Sequence, residues 1–350
     1  MNKFLQEILE QPEAIERLLS HYSNAAGKKA LDAINGAKSE QAFEQIIFTG
    51  MGSSYFVSHA AATLFNNLNI KAFAVNASEL LHYNFSLLTG KTALVCASQS
   101  GESYEVVEVL KKLPPEVFCI GIVNEEESFL ARKAGVALLC KSGKEEMTST
   151  KTYVATSLAA FVMGWRLADQ WDTDKQQMLA GLADNFASML TDYKQGISDA
   201  LEFMGDIQTL QIIARGPVCS TAFQSALMFK EALKIPATGI SGGEFRHGPM
   251  EMVGPGFRAI LFAGKGKTLA QSLKMAGDIA GFGGRVWLIT NDRANADHPN
   301  IHSFYIDIED EYLFSVQSIV PIQLFIDAYA KARGFEAGGF ARGNKVTGIE

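Results

Sequence analysis

The sequence predicts an α/β protein made of two successive parallel-sheet units with helices on their faces. Three observations carry this reading. Short apolar runs lead into glycine- and serine-rich turns and then into helical patterns, which is the order of a βαβ unit. The run Val117 to Val123 is apolar throughout, as a strand buried on both faces of a parallel sheet must be. The pattern then restarts, because Gln211-Ile212-Ile213-Ala214-Arg215-Gly216 echoes Gln45-Ile46-Ile47-Phe48-Thr49-Gly50. With 350 residues the chain can build two cores of ordinary size.

Taken in order, Met1 to Leu19 carries Glu7, Glu10, Glu13 and Glu16 and reads as an exposed acidic helix, not a signal sequence. A second helical segment lies around Lys29 to Ala37. Gln45 to Thr49 is the first strand, followed by the turn Gly50-Met51-Gly52-Ser53-Ser54 and a helix through Phe65. Asn69 to Val75 and Thr92 to Ala97 give the next strands. Glu102 to Leu113 is an amphipathic helix closed by Pro114-Pro115. Val117 to Val123, a helix over Glu125 to Ala134 and a strand over Val136 to Cys140 complete the first sheet. Lys144 to Thr150 is polar and yields to a long helix from Lys151 to Gln170. Asp172 to Leu201 has helical periodicity without strand signals and connects the halves. In the second half Arg258 to Ala263 repeats the role of Thr92 to Ala97, and Val286 to Asn291 that of Ile120 to Asn124. Phe304 to Ile308 is a last strand and Leu313 to Ala332 a last helix. The expected domains are a helical segment 1–28, a first α/β domain 29–171, a connector 172–204, a second α/β domain 205–333 and a tail 334–350. The tail is too glycine-rich for regular structure and should be mobile or folded over a site.

Composition excludes several classes. An apolar fraction of 47% with 20% charged residues is that of a soluble globular protein. The net charge of −7 is spread without a long basic run, which argues against nucleic acid as a partner. The stretch Thr152 to Trp165 is too short to cross a bilayer and reads as a buried helix, so no membrane partner is expected. Cys96, Cys119, Cys140 and Cys219 sit mostly in apolar runs and show no metal-ligand spacing, as expected of reduced core cysteines in a cytoplasmic protein.

The chemistry concentrates in the turns. Ser98-Gln99-Ser100-Gly101-Glu102-Ser103 joins a strand to a helix start, where small hydroxyls, unpaired amides and the helix dipole favour a dianion such as phosphate. Gly101 would let the backbone come close to that ligand. The alternative is that Ser103 merely caps the helix, with Ser98 and Ser100 as turn residues. Ser53-Ser54 and Met147-Thr148-Ser149-Thr150 lie at two further helix starts, so three hydroxyl-rich loops point to an anionic sugar-type ligand. Gly264-Lys265-Gly266-Lys267-Thr268 ends like a P-loop but has Leu261 where the first glycine belongs, and Gly50-Met51-Gly52 lacks the third glycine of a dinucleotide fingerprint. For acid/base work, Glu231 lies in an otherwise apolar helix, where a carboxylate can act as a proton shuttle or simply sit at the surface beside Lys230. His247, before Gly248-Pro249, either caps a helical turn or offers an imidazole that titrates near neutrality. Lys345 is either a solvated terminal lysine or, if the tail closes a dry pocket, a Schiff-base lysine.

Together Gly50-Met51-Gly52-Ser53-Ser54-Tyr55, Ser98 to Ser103, Ser149-Thr150-Lys151, Lys230-Glu231 with Gly243 to Pro249, and Lys345-Val346-Thr347 resemble the sugar isomerase (SIS) domain family in its double-domain form. The likeness is to the isomerase half of the glucosamine-6-phosphate synthases and runs over nearly the whole chain. It implies two tandem flavodoxin-like domains. It also implies that Gly52, Ser53, Ser54, Ser98, Gln99, Ser100, Ser103 and Ser149 bind a sugar 6-phosphate. Glu231 would move a proton between C1 and C2, His247 would open the sugar ring, and Lys345 would hold the open-chain ketose as a Schiff base, with no metal or other cofactor. Because the family takes its histidine from the neighbouring subunit, a homodimer with a shared active site is implied. The resemblance also departs from the family: Met228 replaces a second active-site lysine, the tail is richer in glycine, and no glutaminase domain is expected ahead of Phe4. The implied activity is an amino-sugar-6-phosphate isomerase/deaminase that releases ammonia. The alternatives are a fructosamine-6-phosphate-type deglycase and a non-catalytic sugar-phosphate sensor.

Overall fold

The computed structural model describes residues 2–293, 298–340, 345 and 347. The chain divides into two compact units. The first comprises Glu10–Asp184 with the described residues beyond Phe340, and the second the residues up to Leu9 with Asn185–Phe340. The change from one to the other falls inside the helix Thr173–Asp192.

In the first unit the strands β1 (Gln45–Gly50), β2 (Ala72–Asn76), β3 (Thr92–Ser98), β4 (Phe118–Val123) and β5 (Val136–Leu139) form one sheet in the order β2-β1-β3-β4-β5. Every pair is parallel. The apolar runs of β1, β3 and β4 are buried almost end to end, which is why the sequence reads there as continuous rather than alternating. One core gathers Leu94, Cys96, Val106, Val109 and Leu130. The expected buried helix is Lys151–Leu167, in which every residue from Lys151 to Trp165 is buried. The strand order reverses between β1 and β3, and it is outside the C-terminal ends of the strands at such a place that parallel sheets of this kind hold ligands.

In the second unit β6 (Leu210–Ala214), β7 (Ala237–Ser241), β8 (Arg258–Ala263), β9 (Arg285–Thr290) and β10 (Ile301–Tyr305) form a second sheet in the order β10-β9-β8-β6-β7, again all parallel. Read from the opposite edge, this is the order of the first sheet. The fold is two tandem flavodoxin-like α/β domains.

Several boundaries differ from the sequence reading. The N-terminal helix is two helices, Lys3–Leu9 and Gln11–Ser23, with Pro12 in the first turn of the second. It is not an exposed acidic helix: Phe4 and Ile8 are fully buried and Glu7 is 1% exposed, because the apolar positions of Lys3–Leu9 face the core of the second unit. The strand Ala237–Ser241 has no counterpart in the sequence reading; it is an edge strand with one buried residue, so neither an apolar run nor an alternation marks it. The last strand is Ile301–Tyr305, not Phe304 to Ile308, and as the opposite edge all five of its residues are half-buried. The connector is the two helices Thr173–Asp192 and Lys194–Met204. The final helical stretch breaks at Ser318, between Glu311–Gln317 and Ile319–Ala332. Glu311–Ala332 is long and apolar enough to cross a membrane, but 94% of its apolar window is buried within the fold. Of the expected tail, 341–344, 346 and 348–350 lie outside the described residues.

Candidate active site

The loops after β1 and β3 leave one edge of the sheet side by side, since Thr49 pairs with Cys96. A Cβ on Gly50 would come within 2.7 Å of the Ala97 carbonyl, so only glycine lets these backbones approach. Past β3, the Ser98 hydroxyl lies 3.1 Å from Ser103 Oγ and accepts from Gly101 N at 3.1 Å. Ser100 Oγ accepts from Glu102 N at 3.2 Å. Ser103 is at the N-cap of the helix Tyr104–Lys112, yet its hydroxyl makes no capping bond and turns to Ser98 instead. The capping alternative therefore fails for Ser103.

Gly101 has a left-handed φ of +66°, and a Cβ there would lie 2.1 Å from Ser128 Oγ. Its freedom serves close packing on Ser128. The loop is also fixed from its far side. Glu102 Oε1 accepts Phe129 N at 2.6 Å, Gly101 O accepts Leu130 N at 3.1 Å, and Gln99 O accepts Asn124 N at 3.1 Å. Ser53 and Ser54 open the helix Ser53–Asn67 behind Gly52, and all three are half-buried.

The third hydroxyl-rich loop leads into Lys151–Leu167. Ser149 Oγ lies 2.8 Å from Thr152 Oγ1. Thr150 does not cap this helix with its own side chain; Glu145 does so, taking Thr150 N at 2.9 Å and Thr152 N at 3.0 Å. Lys151 is 2% exposed and paired with Glu10. Lys345 is not solvated: its ammonium donates to Glu145 Oε2 at 2.6 Å and to the Met147 carbonyl at 2.7 Å. A cavity of about 1340 Å³ opens here, lined by Gln99, Ser100, Asn124, Glu145 and Lys345, with Arg17 and His21 from Gln11–Ser23. Arg17 donates to the carbonyls of Lys141 and Ser142 at 3.1 and 3.0 Å. Burial, and then the Lys141 charge, push the His21 pKa down from its usual value. The first unit thus brings the phosphate-loop candidates and the terminal lysine to one end of one sheet.

Glu231 and His247 belong to the second unit. Glu231 sits half-buried in a π-helical turn, Phe229–Leu233, that continues the helix Cys219–Met228. Such turns carry an extra residue and recur at functional sites. Lys234, in the left-handed region, donates from its ammonium to the Glu231 carbonyl and to Gly339 O, the latter at 3.0 Å. His247 is exposed and ends the short helix Gly242–Arg246, its N–H donating to Glu244 O at 3.0 Å. Among the described residues no group of three His, Cys, Asp or Glu side chains is placed to hold a metal ion. Glu145 was missed in the sequence, where it stands in a polar run; its signal is a carboxylate just ahead of a hydroxyl-rich helix start.

Comparison with known proteins agrees with this architecture. The profile of the SIS domain matches residues 41–163. The chain is 28% identical over 337 residues to the glutamine–fructose-6-phosphate aminotransferase (isomerizing) of Pyrococcus horikoshii, covering 94% of this chain and 55% of that protein. It spans about half the length of the curated relatives it matches. Among solved structures, the C-terminal domain of glucosamine-fructose-6-phosphate aminotransferase from Francisella tularensis superposes with a TM-score of 0.82 at 23% identity, covering 96% of this chain and 97% of that one. Tagatose-6-phosphate ketose/aldose isomerase from Escherichia coli does so with a TM-score of 0.82 at 19% identity, covering 98% and 97%. The SIS-domain match covers residues 41–163, and the switch point between β1 and β3 and the hydroxyl-rich loops beside it lie within that stretch.

Proposed function

We propose that this protein is a phosphosugar aldose–ketose isomerase/deaminase acting on an amino-sugar 6-phosphate, with a ketose 6-phosphate and ammonia as products. The observation that carries this reading is that the Lys345 ammonium lies in the same cavity as Gln99 and Ser100, beside a loop of hydroxyls suited to a phosphate. In this reading Ser98, Gln99, Ser100 and Ser103 hold the phosphate, aided by Gly52, Ser53, Ser54 and Ser149. His247 opens the ring, giving the C1 aldehyde. Glu231 takes the C2 proton and returns it at C1, which leaves an imine at C2. Lys345 passes an ammonium proton to the imine nitrogen, and the amine so freed adds to C2 and expels ammonia; water then releases the ketose and frees the lysine. The names of the aminotransferase relative and of the ketose/aldose isomerase neighbour fit this chemistry.

A second reading, a deglycase that splits a ketosamine 6-phosphate into sugar phosphate and amine, is favoured by cavity size. About 1340 Å³ exceeds the ~300–1,000 Å³ usual for small-molecule sites and leaves room for a substituent on nitrogen. Both readings are tested with a panel of 6-phospho amino sugars and phosphorylated Amadori compounds, following release of ammonia or amine. Glu231→Gln should cut turnover by ~10²–10⁴-fold while binding persists; unaltered turnover would remove Glu231 from the catalytic role, and binding without turnover of any substrate by the wild type would leave a sugar-phosphate sensor. Lys345→Ala separates the enzymes, since unchanged turnover points to the deglycase.

A further inference from the structure

Glu145 is one of two adjacent acids, and the pair divides sharply. Glu146 is exposed and bound to Lys144 at 2.6 Å, whereas the Glu145 side chain is 0% exposed. Its Oε1 accepts Thr150 N at 2.9 Å, Thr150 Oγ1 at 3.1 Å and Thr152 N at 3.0 Å. Its Oε2 accepts Thr152 Oγ1 at 2.5 Å and Lys345 Nζ at 2.6 Å. Five donors take up the lone pairs that two carboxylate oxygens offer, and Lys345, 200 positions away in sequence, is the only charged one among them. Four of the five come from Thr150 and Thr152 at the start of Lys151–Leu167, so the acceptor is held in place by groups other than the lysine.

A second contact shows the same docking. The Thr347 carbonyl accepts Tyr104 N at 3.2 Å, the first N–H of Tyr104–Lys112 and one of the donors a helix start leaves over. Two residues of the tail, one by its ammonium and one by its backbone, are therefore tied to the starts of the two helices that flank the phosphate-loop candidates. A lysine 20% exposed needs such a partner, because an ammonium withdrawn from water without a counter-charge is strongly disfavoured.

We infer that Glu145 is the positioning residue that docks the C-terminal lysine, setting where the Lys345 nitrogen stands relative to the sugar-phosphate loop; this rests on the function proposed above only for what the lysine then does. The prediction is specific to the carboxylate. In Glu145→Gln one oxygen can still accept from Thr150 and Thr152, but the amide NH₂ opposes the ammonium, and Lys345 is released.

The test is acylation of lysines in the full-length protein by an amine-reactive reagent, read by mass spectrometry. In the wild type Lys345 should react about tenfold more slowly than exposed Lys144, and in Glu145→Gln that protection should vanish while Lys144 is unchanged. Glu145→Asp, which keeps the charge, should recover part of it. Equal Lys345 reactivity in wild type and Glu145→Gln overturns the inference. Should Glu145→Gln not fold, Lys345→Gln carries the test from the other side: hydrogen exchange at the Tyr104 amide should speed up about tenfold as the tail lets go, and unchanged exchange overturns the docking. Turnover reads a different question. If Lys345→Ala keeps wild-type turnover, the Schiff-base role falls while docking is still judged by labelling. If Lys345→Ala is inactive, Glu145→Gln should lower kcat with KM moved by no more than about twofold, because the phosphate loop is intact.

Discussion

The Ser98 hydroxyl is shared between Gly101 N and Ser103 Oγ, so it both shapes the loop and stands among the groups offered to a phosphate. Ser98→Ala should weaken binding of inorganic phosphate or a sugar phosphate by about 3–10-fold, the worth of one hydrogen bond. Isothermal titration checks this, and an unchanged Kd removes Ser98 from the site. His59, on the helix opened by Ser53 and Ser54, is a different kind of residue. Burial holds its pKa below 6.5, and its ring packs against Tyr55 at 4.8 Å. The folded state prefers the neutral imidazole, so this contribution is present above pH 6.5 and is lost as pH falls through the lowered pKa. His59→Gln should therefore show a smaller drop in Tm than wild type between pH ~7.5 and ~5, measured by thermal melts across that range.

Among the elements, the turn from β3 into Tyr104–Lys112 is the most tightly determined. Gly101→Ala must place a methyl on Ser128 and hold a left-handed φ, at a cost of about 1–3 kcal/mol that urea denaturation would report. The turns were legible in the sequence because glycine, serine and a following amphipathic pattern each demand a particular local geometry. The central strands β1, β3, β4 and β8 were legible for the same reason, as burial on both faces leaves an unbroken apolar run. Edge strands were not: Ala237–Ser241 pairs on one side only and buries one side chain, so its composition is that of a loop. Nor was the turn Phe229–Leu233, since a π-helical register and an α-helical one present the same apolar composition over five residues. The inward aim of Glu145 beside the outward aim of Glu146 is set by the hydroxyls and amides of Thr150 and Thr152, partners that only the folded loop assembles.

For the whole molecule, the two sheets repeat one strand order from unrelated-looking segments, and the sequence showed this only as the echo of Gln45–Gly50 in the segment from Gln211 to Gly216. Carrying the proposed reading to this scale gives a test of the shared site. If Glu231 and His247 in one site come from different subunits of a homodimer, Glu231→Gln and His247→Ala, each inactive, should recover about a quarter of wild-type activity when unfolded together and refolded as a mixture. No recovery would mean that each subunit supplies both residues or that no dimer forms. The π-helical turn bears on how such a site tolerates change. Helical residues advance by about 100° each, so removing Lys230 would close the helix into ordinary register and swing Glu231 away by roughly that angle. The aim of the carboxylate is therefore a matter of counting along the backbone: most exchanges of neighbouring side chains leave it alone, while a single-codon deletion there would redirect it without touching the residue itself.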